Sequence, residues 1–128
     1  MSAAQRQAWD AEAALRDRLT TDLPPAMRAR DATAIAAIRT VIAALDNAGA
    51  VALSGPEAPA KGQSGDVPRR DLSPDDIQAI LAREIAERRA AMTDYEAGGR
   101  PDAADRLRAE VAIIASYADT GFADPARR

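Results

Sequence analysis

Apolar residues recur at three- and four-residue steps in four stretches of the chain, and each stretch reads as an amphipathic helix. The clearest covers residues 73–97, where Ile77, Ile80, Leu81, Ile85, Met92 and Tyr95 fall into one stripe at about 100° per residue. Three signals mark its start: Ser73 as N-cap, Pro74 at the first helical position and Asp76 placed to complete a capping box. Gly98-Gly99 is the predicted stop, because glycine enters the left-handed conformation that closes a helix at little cost. Pro101 and Asp102 then open a helix whose stripe is Ala104, Leu107, Val111, Ile114 and Ala118. So short a connection predicts an antiparallel hairpin with the two stripes facing each other.

The N-terminal part carries a second such pair. Residues 8–30 read as a helix with Trp9, Leu15, Leu19, Leu23 and Met27 at its apolar positions. Pro24-Pro25 predicts a kink or a break near Leu23, since proline removes a helical hydrogen bond and crowds the preceding turn. Asp31 is placed to cap a helix over 32–48, with Ile35, Ile38, Val41, Ile42 and Leu45 as its stripe and Gly49 as its stop. Alanines 34, 37, 44 and 48 flank that stripe and let a neighbouring helix approach closely. From residue 50 the periodicity is replaced by turn formers such as Ser54-Gly55-Pro56 and Pro68, which predicts a linker.

The expected fold is therefore all-α: a four-helix bundle of two antiparallel hairpins, residues 1–49 and 73–118, joined by a long flexible linker at 50–72 and followed by a tail at 119–128. Each hairpin has one apolar face and needs the other to cover it. If the pairs separated, the exposed stripes would drive formation of a homodimer or binding to a partner helix.

Composition narrows the chemistry. A chain of 128 residues with 3% aromatic residues and no cysteine or histidine has no disulfide, thiol nucleophile, imidazole base or usual zinc ligand. No apolar run approaches membrane length, so a cytoplasmic protein without a membrane partner is expected. The net charge of −3 speaks against DNA or RNA binding through bulk charge, although all but one of the 17 basic residues are arginine, which suits phosphate.

Among individual residues Arg88 is the most informative, because it falls inside the apolar stripe of its helix. A guanidinium there needs a carboxylate, and Glu110, flanking the stripe of the facing helix, is the first candidate. Arg39 is expected to play a similar part at the edge of its own stripe. Such an ion-pair network would set helix register; a phosphate or carboxylate site is the functional alternative. Glu84, Glu87 and Glu110 lack the histidine of helical di-metal sites, so no metal is expected, and Glu84 and Glu87 read as solvated partners of nearby arginines. Tyr95 and Tyr117 read as core residues whose hydroxyls reach a partner. Lys61, Gly62 and Gly65 lack the spacing of a phosphate loop. No catalytic residue and no cofactor site is predicted.

The stretch Arg83-Glu84-Ile85-Ala86-Glu87-Arg88-Arg89, then Tyr95-Glu96-Ala97-Gly98-Gly99-Arg100-Pro101-Asp102, then Ala109-Glu110 and Tyr117, resembles the signature of the GatB/YqeY family. Upstream, Leu15, Arg18-Leu19, Asp22-Leu23, Ala26-Met27, Arg30-Asp31, Ile38-Arg39 and Ala43-Ala44-Leu45-Asp46-Asn47 match the first two helices of that family in order and spacing. The family is named for similarity to the tail of the GatB subunit of glutamyl-tRNA amidotransferase, and it keeps an acid at the position of Glu110. The resemblance implies a helper module for tRNA-dependent amidotransfer, a carbon-nitrogen ligase activity with glutamine as amido-N-donor. The implied partners are tRNA or the amidotransferase subunits. The family usually continues after the tyrosine with Leu-Pro and a small helical domain, whereas Tyr117 is followed by Ala118-Asp119-Thr120-Gly121. If that domain carries the tRNA contact, this shorter form is expected to lack the activity. The alternative is a protein-protein interaction module with no tRNA role.

Overall fold

The computed structural model describes residues 10–52 and 71–121. They form four α-helices: α1 Ala11–Arg28, α2 Ala32–Ala52, α3 Pro74–Ala97 and α4 Pro101–Ser116, the last running into a π-helical turn, Tyr117–Gly121. The described residues contain no strand. Consecutive helices pair as antiparallel hairpins, α1 with α2 and α3 with α4. α2 and α3 each pack on all three other helices, while α4 reaches α1 only through the π-helical turn that follows it.

The helix starts follow local chemistry. Asp10 Oδ1 accepts from the Ala13 N–H, and Asp31 Oδ1 accepts from the Ala34 N–H, each at 3.0 Å. At α3 the capping box is complete: Ser73 Oγ accepts from Asp76 N–H and Asp76 Oδ2 accepts from Ser73 N–H, both at 3.0 Å. Arg100 offers α4 no side-chain cap, and Pro101, which has no N–H to satisfy, stands first in that helix.

The core is one aliphatic cluster shared by both hairpins. Leu15 and Leu19 of α1, Val41 and Leu45 of α2, Ile77 and Leu81 of α3 and Ile114 of α4 are fully buried. Each such side chain contributes about 1.5–3 kcal/mol by leaving water, which is why neither hairpin's face is left uncovered. None of the helices is long and apolar enough to cross a membrane, among the described residues.

Both hairpins close with the same hydrogen-bond pattern. After α3, Arg100 N–H donates to Tyr95 O at 2.7 Å and Gly99 N–H to Glu96 O at 3.2 Å, with Gly99 at φ 76°. After α1, Asp31 N–H donates to Ala26 O at 3.0 Å and Arg30 N–H to Met27 O at 3.1 Å, with Arg30 at φ 54°. Each is a Schellman turn whose left-handed residue is glycine in one hairpin and arginine in the other. Gly98 has φ −84°, so only the second glycine of the pair uses the conformation that glycine favours.

Several expectations need correction. α1 is a single helix through Pro24-Pro25 and does not divide near Leu23. The prolines deprive the carbonyls of Thr20 and Thr21 of their donors, but all four residues are exposed, so water can supply them within the last turns of the helix. The start expected at residue 8, and with it Trp9, lies outside the described residues. Gly49 does not stop α2, which continues to Ala52 with Gly49 buried. Gly49 is not in the left-handed conformation that a glycine stop requires. Of the stretch expected as a linker, residues 50–52 are helical and Leu72 is buried in the core, while 53–70, with Lys61, lie outside the described residues.

Two stripe residues are also exposed, Met27 at 47% and Tyr95 at 40%. Leu15, Leu19, Leu23 and Met27 are spaced by fours, and each such step drifts about 40° round the helix, so Met27 has left the buried face. Tyr95 stays in line with Ile77 but sits in the last turn of α3 and is exposed there.

Candidate functional site

The side chains that could carry chemistry meet where the hairpins join. Arg88 of α3 is only 16% exposed, and its guanidinium is occupied on every edge. Nε donates to Glu110 Oε1 of α4 at 3.3 Å; Nη1 donates to Glu84 Oε1 at 2.9 Å and to the Glu84 main-chain oxygen at 3.1 Å; Nη2 donates to Thr40 Oγ1 of α2 at 3.1 Å. One cation thus ties three helices and neutralises two half-buried carboxylates. A guanidinium with both edges engaged has no fork left for a phosphate or carboxylate ligand.

The same device occurs once more at the other end of the bundle. Arg16 of α1 pairs with Glu12 one turn back at 2.8 Å and with Asp46 of α2 at 3.0 Å. Glu12 in turn accepts from the Leu72 N–H at 3.1 Å and so fastens the start of the second hairpin to the first. Burial pulls the Arg16 pKa down, but the hydrogen bonds and charges of Glu12 and Asp46 outweigh it, so the group is held more firmly protonated than usual. Its Nη2 is buried with no partner among the described residues.

A third contact binds α1 to the π-helical turn. The Tyr117 hydroxyl donates a short hydrogen bond to Asp22 Oδ2, and the Arg18 guanidinium lies over the ring at 4.8 Å from its centroid. Burial first, and then the Asp22 carboxylate, raise the Tyr117 pKa far above that of an ordinary phenol, since both disfavour a phenolate.

The structure brings Arg88 and Glu110 together and leaves Arg39 apart. Arg39 is exposed, and among the described residues no carboxylate pairs with it. Its place at the edge of the stripe turns it to water, and its neighbour Thr40 points inward to Arg88 instead. Tyr117 is buried and Tyr95 is not. Gly98 and Gly99 form the turn, where a Cβ on Gly98 would come within 3.3 Å of the Asp94 oxygen.

Glu84 is not the solvated acid expected; its side chain is 20% exposed and faces Arg88, while Glu87 does pair with Arg83 at the surface. The four-residue spacing from Glu84 to Arg88 was a usable signal. Glu12 and Arg16 share that spacing, but nothing in the sequence pointed to Thr40, Asp22 or Asp46, because those partners lie on different helices. Among the described residues no three acids gather around one point. Glu84 and Glu110 are held on either side of the guanidinium.

α3, α4 and the π-helical turn of the second hairpin line a groove of about 270 Å³. Ile85 forms part of its floor, Ala82, Ala86 and Ala115 its walls, and Arg89 and Asp119 its charged rim.

With this geometry in hand, a family model described as YqeY-like protein matches residues 16–124. Comparisons with curated proteins and with solved structures give no match.

Proposed function

The chain belongs to the YqeY-like family, and from that premise we propose that it is a non-catalytic helical module of the cytoplasm that assists tRNA-dependent amidotransfer by binding the amidotransferase. The observation that supports this is the state of Arg88. The residue best placed for ligand or substrate chemistry is consumed by Glu84, Glu110 and Thr40, which leaves the molecule a scaffold role at that point. Glutamine-dependent carbon-nitrogen ligation, with glutamine as amido-N-donor, is then an activity of the assembly and not of this chain. The test is co-purification with the amidotransferase subunits, beside titration of the free protein with tRNA at two salt concentrations. Retention by the subunits is the expected result; failure to be retained overturns the reading. Tight tRNA binding that falls steeply with salt would show a direct RNA contact instead.

A second reading, a protein-protein interaction module without a tRNA role, is favoured by the apolar groove on the second hairpin. Recovery of a different protein by the native chain, with the amidotransferase subunits absent, would select it.

A further inference from the structure

Going beyond that reading, we infer that the groove between α3 and α4 is a self-association surface, on which a second copy of this chain docks about a twofold axis. Arg89 of each copy then meets Asp119 of the other.

The groove has one apolar floor and two opposite charges. Ala82 and Ala86 are exposed, and Ile85 is only partly covered, so an apolar strip of α3 lies open in the groove. Alanine walls let a helix approach to the short end of the 8–10 Å packing range. Arg83, Arg100 and Arg108 of the same hairpin each meet an acid within the chain. Among the described residues Arg89 does not, and no cation pairs with Asp119. Among the described residues Arg106 also lacks an acid, but it lies outside the groove lining.

The placement of the two charges selects the partner. Arg89 adjoins Arg88, which is level with Glu110, and Asp119 lies nine residues beyond Glu110 along α4 and its π-helical turn. At the helical rise that is roughly 13 Å, so the positive and negative charges stand at opposite ends of one groove. A twofold axis across the groove places each charge against its opposite in both halves at once. An unrelated helix would need its own matching pair of charges; a second copy has them by symmetry.

The test is sedimentation velocity of the full chain over a concentration series, with thermal unfolding as the check on the fold. The native chain is expected to form a dimer. Arg89→Asp or Asp119→Arg should each weaken it by roughly ten-fold or more, and the double exchange should restore it. Ala86→Trp, at an exposed site that the monomer can accommodate, should abolish it. A native chain that stays monomeric throughout overturns the inference. So does a dimer unchanged by all these variants, or a monomer whose melting temperature drops with Ala86→Trp, since the groove is then filled from within the same chain.

Discussion

The two hairpins solve the same problem with similar parts and different thoroughness. In each, an arginine holds a glutamate one turn back on its own helix and an acid on the facing helix: Glu12–Arg16–Asp46 in the first, Glu84–Arg88–Glu110 in the second. The second set is sealed, with Glu110 at 13% exposure and Arg88 satisfied through to Thr40 of the other hairpin. The first is open, with Asp46 at 51% exposure and one Arg16 nitrogen with no partner among the described residues. Ion pairs at the surface contribute little because water screens them, whereas a buried cation cannot be removed without stranding its acids. The Arg88 set is therefore expected to hold the joint between hairpins, and the Arg16 set to trim it.

Replacing Arg88 with methionine is the sharpest test of that difference. It leaves Glu84 and Glu110 facing each other without a cation and should cost about 3 kcal/mol in urea unfolding, whereas Arg16→Met should cost under about 1 kcal/mol. Equal losses would break the distinction between sealed and open sets. Next in size is Tyr117→Phe, which removes the hydrogen bond to Asp22 and should cost about 1.5 kcal/mol.

The same tyrosine adds a pH dependence. Because its folded pKa is raised, its contribution is complete below the unfolded phenol value of about 10 and fades as pH climbs beyond it. Thermal unfolding followed from pH 8 upward should show a loss of stability above about pH 10 that is absent in the phenylalanine variant.

The turns sharpen the comparison at a smaller scale. Gly99→Ala forces a side chain into the left-handed region and should destabilise by about 1 kcal/mol. Arg30 already bears that strain at φ 54°, so Arg30→Gly should stabilise by a few tenths to about 1 kcal/mol, read as a rise in melting temperature. If Arg30→Gly destabilises instead, the arginine side chain contributes something that the turn geometry does not reveal.

What could be read in advance followed the physics of single helices. Ser73, Pro74 and Asp76 specify the start of α3 by contacts within one turn, and the Gly98-Gly99 stop works through the backbone alone, so neither depends on the rest of the molecule. The stripe position of Arg88 made a buried partner necessary, and the facing stripe narrowed the choice to Glu110. The edge of a stripe, where Arg39 stands, is ambiguous until the neighbouring helix is in place.

By itself the sequence determined the four helices of the described residues, the two hairpin turns, the aliphatic faces and the family, since all of these rest on spacing along the chain. The tertiary structure alone decided that α2 and α3 each touch every other helix, that Thr40, Asp22 and Glu12 complete polar contacts between hairpins, and that Gly49 continues a helix. The physical reason is distance along the chain. Asp22 and Tyr117, or Glu12 and Leu72, become neighbours only when long-range packing brings separate helices together, and no local rule encodes which one arrives.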